Sequence, residues 1–301
     1  MSAPALTITA SFLFAVMGVC VKLASVHHGA GEIVLYRSLV GLVLMTAVLR
    51  WRGIAWRSSV PAMHFWRSIT GATALCLWFY AIANLPLATA MTLNYMSSVW
   101  IALFLIGGAV LLSPQQGGSG QIDARLVAAV LTGFAGVALV LRPTIAQEQL
   151  WHGLVGLGSG LIAAMAYLQV TALGRVGEPG ERVVLYFSIT GVIFGIVVAL
   201  FSGGLHGYTP TGAALLLAIG VLATGAQWMI TRAYGTGATL GLAALQYLGI
   251  VFSFGFGVLL FDEQFTLWST IGVALIVAAG VAATMLSARS RSSEPAAPTE
   301  T

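Results

Sequence analysis

Charge is what this sequence has least of. Of 301 residues, 7% are Asp, Glu, Lys or Arg while 58% are hydrophobic, against roughly a quarter charged in an ordinary soluble domain. That scarcity excludes a water-soluble fold, because no chain of this length can hide so much apolar surface. Cysteine is equally sparse. Cys20 and Cys76 both lie inside apolar runs, which argues against a disulfide framework or thiolate cluster and reads them as small hydrophobes. The five histidines, His27, His28, His64, His152 and His206, sit near loops without metal-ligand spacing, so surface roles are expected and no metal. No constellation of His, Cys, Asp and Glu supplies a nucleophile, an acid/base pair or a cofactor site, so no catalytic residue is expected and the chain does not read as an enzyme. All nine acidic residues fall in loops, run ends or the tail, which leaves no carboxylate relay through a membrane. The excess of 13 Lys+Arg over 9 Asp+Glu is spread along the chain, so no nucleic-acid surface is expected.

What is present is length without polarity. Crossing a bilayer takes about 20 mostly apolar residues at 1.5 Å rise each. Runs of that kind stand near 5–25, 33–50, 66–84, 87–111, 125–141, 151–173, 183–201, 211–233, 238–261 and 266–286. The breaks carry turn chemistry or charge, such as Glu178-Pro179-Gly180 and Asp262-Glu263. Glycine, at 36 residues, suits helices that approach closely in lipid, and Gly156-Leu157-Gly158-Ser159-Gly160 inside the sixth run reads as packing rather than a phosphate loop. With the N-terminus inside, Arg50, Arg52, Arg57, Arg67, Arg125, Arg175, Arg182, Arg232, Arg289 and Arg291 collect on the cytoplasmic side, leaving Lys22, Arg37 and Arg142 outside. Both termini are therefore expected in the cytoplasm, and Trp51, Trp56, Trp66 and Trp151 are expected as interfacial anchors.

The sequence also repeats itself. Leu35-Tyr36-Arg37-Ser38 with Gly41 matches Leu185-Tyr186-Phe187-Ser188 with Gly191; Asn94-Tyr95 matches Gln246-Tyr247; Gly136-Val137-Ala138 matches Gly280-Val281-Ala282. The expected fold is an all-α integral membrane protein of ten helices, arranged as two five-helix repeats over 1–143 and 144–286 with a disordered tail over 287–301. Five is odd, so the second copy enters the membrane inverted, as in secondary transporters that alternate access around a midplane site.

At these residues the chain resembles the EamA-type branch of the drug/metabolite transporter superfamily. The likeness covers nearly the whole chain and is carried by Leu35-Tyr36-Arg37-Ser38, Leu85-Pro86-Leu87-Ala88 leading to Leu93-Asn94-Tyr95, and Phe261-Asp262-Glu263 followed by Ile271-Gly272 and Gly280-Val281. The resemblance implies an inner-membrane carrier for small solutes such as amino acids or amines, often outward. The chain departs from the family pattern at Ser98, around Gly249-Ile250 and at Pro114-Gln115.

Polar groups within the runs are few, and such groups face the bundle or a cavity. Asn94, Tyr95 and Ser98, their repeat counterparts Gln246 and Tyr247, and Trp78, Tyr167, Gln227 and Trp228 are the expected substrate-binding residues. Amide and phenol groups recognise a small polar solute without holding it by fixed charge; interhelical hydrogen bonding is the competing account. Lys22, Arg37, Arg232 and Glu263 are expected to take structural or gating roles; Lys22 and Arg37 lie where they can snorkel to the headgroups, with an anion site as the competing account. The expected partners are a small molecule and the bilayer. Export of an amino acid or amine is the leading reading, and uptake of a vitamin or nucleoside-like cofactor the runner-up.

Overall fold

The computed structural model describes residues 1–101, 103–104, 128, 132–133, 135–136, 139, 150–207, 209–236, 242, 245–263 and 266–292. Most of the fifth run, and Pro114-Gln115, lie outside the described residues. Nine helices are described: α1 (Ala3–Ala24), α2 (Ala30–Arg52), α3 (Pro61–Asn84), α4 (Leu87–Tyr95), α5 (Leu150–Arg175), α6 (Gly180–Phe201), α7 (Pro210–Tyr234), α8 (Leu248–Phe261) and α9 (Leu267–Ser292). No strand occurs among the described residues. Five of the helices, α1, α2, α5, α6 and α7, are long and apolar enough to cross a bilayer.

Local chemistry sets the helix starts and stops. Proline opens α1, α3 and α7, at positions where its missing N–H has no intrahelical partner to lose. The Thr209 hydroxyl accepts from the Gly212 N–H at 3.0 Å and caps α7. α2 stops at Gly53, whose φ of 65° only glycine adopts freely.

Two boundaries differ from the apolar runs in ways that matter. α2 begins before position 33 and α3 before position 66, because backbone hydrogen bonding continues through polar residues that a hydropathy window rejects. Arg37 and Arg67 therefore stand inside helices rather than at their ends. The second difference lies in the fourth and ninth runs, which are continuous in apolarity but not in helix. α4 closes at Tyr95, where Met96 begins a turn and the Val99 N–H bonds three residues back to the Met96 carbonyl at 2.9 Å. Gln246 and Tyr247 form the matching turn before α8, with the Gly249 N–H on the Gln246 carbonyl at 2.8 Å. Such local tightening interrupts the regular ladder. The last helix also continues to Ser292, past the run that ended at 286.

The helices pair in a pattern that recurs. α3 packs on α5 as α1 packs on α7; α2 packs on α7 as α3 packs on α6; α4 packs on α5 as α1 packs on α8. α2 also packs on α6, and α4 on α8. Along α2 and α6, Gly31 meets Ala199, Leu35 meets Gly195 and Gly41 meets Ser188, so the two run antiparallel. Ser38 packs in turn against Gly191. Each serine hydroxyl fills the space where the other helix lacks a Cβ, which is how small residues bring two backbones together in lipid. Trp51, Trp56, Trp66 and Trp151 are all exposed.

Candidate functional site

A cavity lies among these helices, lined from α1 to α7. α3 presents Arg67, Gly71, Ala74 and Trp78 to it, spaced so that they fall on one helical face. α2 gives Arg37, α4 gives Asn94 and Tyr95, α5 gives Ala163, Ala166 and Tyr167, α6 gives Phe187 and α7 gives Gln227. The cavity volume is about 60 Å³.

The two arginines are the unexpected content. Arg37 is 4% exposed and Arg67 3% exposed. Their guanidinium carbons stand 4.8 and 4.1 Å from the centroid of the Phe187 ring, so the two charges are at most about 9 Å apart and both gain from the ring face. No carboxylate among the described residues lies within ion-pair distance of either. The Arg37 Nε and the Arg67 Nε and Nη1 are buried without a hydrogen-bond partner. Gly71, one turn after Arg67, has no Cβ where that guanidinium lies. At an effective dielectric of about 20, two like charges at this separation repel by about 2 kcal/mol, beyond the cost of burying each.

Arg37 corrects the expectation of a snorkelling side chain. It sits about 10 Å from the start of α2 by helix rise, and it reaches inward to Phe187 instead of outward. Phe187 is its own counterpart in the sequence repeat. Arg67 stands at the edge of an apolar run that begins only at 66, where it is expected as an inner flank; Pro61, a helix-opening residue, is the signal that places it a turn and a half inside.

Of the expected binding residues, Trp78, Asn94, Tyr95, Tyr167 and Gln227 do line the cavity. The Trp78 Nε1 and the Tyr95 Oη are buried with no partner. Asn94 Nδ2 donates to Ser159 Oγ at 3.1 Å, which donates onward to the Gly156 carbonyl at 2.6 Å. Gln227 Nε2 donates to Thr231 Oγ1 at 3.3 Å. Tyr167 stacks on Tyr234 with centroids 4.8 Å apart. Ser98, Gln246 and Tyr247 are buried behind this layer, where the Ser98 and Tyr247 hydroxyls pair. Tyr95 lies directly on Gly249. Trp228 is not in the cavity: its indole donates to Glu181 Oε1 at 3.2 Å, and Arg52 and Arg232 lie over its ring at 5.9 and 5.7 Å.

Polar clasps join the first half of the chain to the second at both ends of the cavity. At one end Lys22 Nζ meets Glu263 Oε1 at 2.5 Å and the Leu85 carbonyl at 3.2 Å. The same Glu263 oxygen accepts the Leu87 N–H at 2.7 Å, at the N-terminus of α4 where a carboxylate is favoured. At that end too, the expectation of surface histidines fails for His28, which is buried beside Glu32; the Glu32 carboxylate also receives His206 at 3.0 Å. At the other end Glu178 takes Ser58 Oγ at 2.7 Å, Arg182 at 2.9 Å and His64 at 3.1 Å. Burial alone would raise the Glu178 carboxyl, but these hydrogen bonds and the Arg182 charge hold it below the ordinary carboxylate value. His64 is fully buried and stacks on Tyr186 at 4.5 Å, again not a surface residue. Arg52 and Glu181 join at 2.7 Å nearby. The buried carboxylates Glu32 and Glu181 both belong to first helical turns rather than to mid-helix positions. No group of three His, Cys, Asp or Glu among the described residues is placed to hold a metal ion.

No family model matches the chain. It is 33% identical over 277 residues to the pseudopaline exporter CntI of Pseudomonas aeruginosa, covering 92% of this chain and 91% of that one. It is 27% identical over 235 residues to the riboflavin transporter of Vibrio cholerae, covering 75% and 74%. A solved crystal structure shares the fold with a TM-score of 0.69 at 20% identity, over 95% of this chain and 98% of that one.

Proposed function

The chain belongs to the transporter family that includes the pseudopaline exporter CntI, and on that premise we propose that it exports a small polar metabolite by alternating access. It is a membrane transporter and not an enzyme. In our reading it is of the EamA type within the drug/metabolite transporter superfamily, with ten spans in two inverted five-helix repeats and both termini in the cytoplasm. The observation that carries the mechanism is the cavity between α1–α4 and α5–α8, lined by both sets and clasped at both ends.

The helix pairings support an inverted repeat. Exchanging each helix with its sequence counterpart turns the α3–α5 pair into the α7–α1 pair and returns α2–α6 to itself, with its two members antiparallel. Interrupted helices one or two residues apart in the repeat, here at Met96 and Gln246-Tyr247, are the usual marker of a midplane solute site. Opening one clasp while the other holds would expose the cavity to one side at a time. With both termini in the cytoplasm, as we propose, the Lys22–Glu263 clasp faces outward and the Glu178 clasp inward. CntI is an exporter by name, and the riboflavin transporter keeps an aromatic solute in view for the Tyr167–Tyr234 stack and Trp78.

The test is reconstitution. Purified protein in liposomes loaded with candidate solutes should show saturable counterflow of at least one of them; leakage that rises linearly with concentration for every solute would remove the carrier reading.

A further inference from the structure

Two positive charges share the middle of this molecule, and nothing described there is negative. Arg37 and Arg67 enter from helices that start at opposite ends of the bundle, and both stack on Phe187. The five described carboxylates are engaged elsewhere or exposed: Glu32 with His28 and His206, Glu178 with His64 and Arg182, Glu181 with Arg52, Glu263 with Lys22, and Asp262 exposed. Buried charges are ordinarily paired. A guanidinium presents a rigid fork that matches a carboxylate, and three of the fork nitrogens here are buried without acceptors. The remaining free polar atoms at the cavity include the Trp78 Nε1, which can only donate, and the Tyr95 hydroxyl. A cavity so lined offers hydrogen bonds to acceptors and repels cations.

We infer that Arg37 and Arg67 are the anion-binding residues of the transport site, and that its solute is a small organic dianion carrying carboxylate or equivalent acidic oxygens. This deepens the carrier reading and rests on it for the word transport alone. The separation of the two guanidinium groups, at most about 9 Å across Phe187, lets one short solute engage both. Amines and other cations, which the amide and phenol groups alone would have allowed, are excluded by the same two charges. Arg67→Met and Arg37→Met each remove one charge and keep much of the side-chain volume.

The test uses purified full-length protein and five probes: succinate, citrate, inorganic phosphate, alanine and putrescine. Succinate or citrate is expected to raise the melting temperature of the wild type, and either Arg→Met change should weaken the apparent affinity about 10- to 100-fold, as expected for a charge-assisted hydrogen-bonded pair. Without any solute the variants should melt at or above the wild-type temperature, because an unpaired buried charge is removed; a merely structural arginine would instead lower it. A response to phosphate with none to succinate or citrate overturns the organic dianion. Stabilisation by putrescine or alanine with none by the three anions overturns it, as does an anion response that survives both substitutions. Counterflow of the stabilising anion separates the two proposals. Arginine-dependent binding without saturable exchange keeps the site and removes the carrier, whereas exchange of putrescine alone keeps the carrier and removes the anion site.

Discussion

At the residue scale the decisive quantity is distance along a helix. A guanidinium about 10 Å from a helix end can extend to the headgroups or turn inward, and Arg37 turns inward because Phe187 offers it a ring face. The amides nearby are expected to matter to transport. Asn94→Ala removes the hydrogen bond to Ser159 beside the cavity and should cut transport about 5- to 10-fold, the range of one hydrogen bond; Gln246→Ala, one layer behind, should do less. Normal rates in both at normal protein levels would leave these groups as packing alone. Glycines at the α2–α6 contact carry stability rather than recognition. A Cβ at Gly195 would stand 2.6 Å from the Leu35 nitrogen, and backbone cannot swing aside as a flexible side chain can. Gly195→Ala should therefore destabilise the protein by about 1–3 kcal/mol, read as a lowered melting temperature with solute recognition kept in what remains folded.

At the element scale the clasps decide which end opens. The Lys22–Glu263 clasp ties α1 to α8 and to the first turn of α4. Glu263→Gln weakens both the ion pair and the interaction with the helix N-terminus, so this end should open about 5-fold more often or better. Labelling of a cysteine placed at Ala74, in a chain lacking Cys20 and Cys76, would report it as faster modification from that side; an unchanged rate would deny the clasp a gating role. The opposite clasp is sensitive to acid. Glu178 is held below the ordinary carboxylate value of 4.5, so its contribution is complete above that pH and is lost as pH falls through the lower folded value. The thermal stability of the wild type should thus fall on acidification below the ordinary range, and Glu178→Gln should flatten that part of the profile. The helix interruptions at Met96 and Gln246-Tyr247 belong to this scale too, and no hydropathy window detects them because the residues on either side stay apolar.

At the scale of the whole molecule, topology and exchange are the measurements that count. If the two halves are inverted copies with cytoplasmic termini, reagents should label Gln115 and the C-terminal tail from the same face of the membrane; labelling from opposite faces would break the arrangement. By itself the sequence determined that the chain is helical and lies in lipid, because scarce charge and apolar runs leave the backbone no solvent but its own hydrogen bonds. It also placed Trp78, Asn94, Tyr95, Tyr167 and Gln227 on the short roster of polar groups that a bilayer turns inward, and the cavity contains all five. It could not tell Trp228 from them, since whether an indole meets a solute or Glu181 depends on which helix packs alongside. Nor could it find the arginine pair. Arg37 and Arg67 are far apart in the chain, each resembles a headgroup anchor in its own segment, and only the packing of α2, α3 and α6 around Phe187 makes them one site. Lipid and hydrogen bonding are read one residue at a time, whereas a charge is recognised as uncompensated only when every neighbour in space is known.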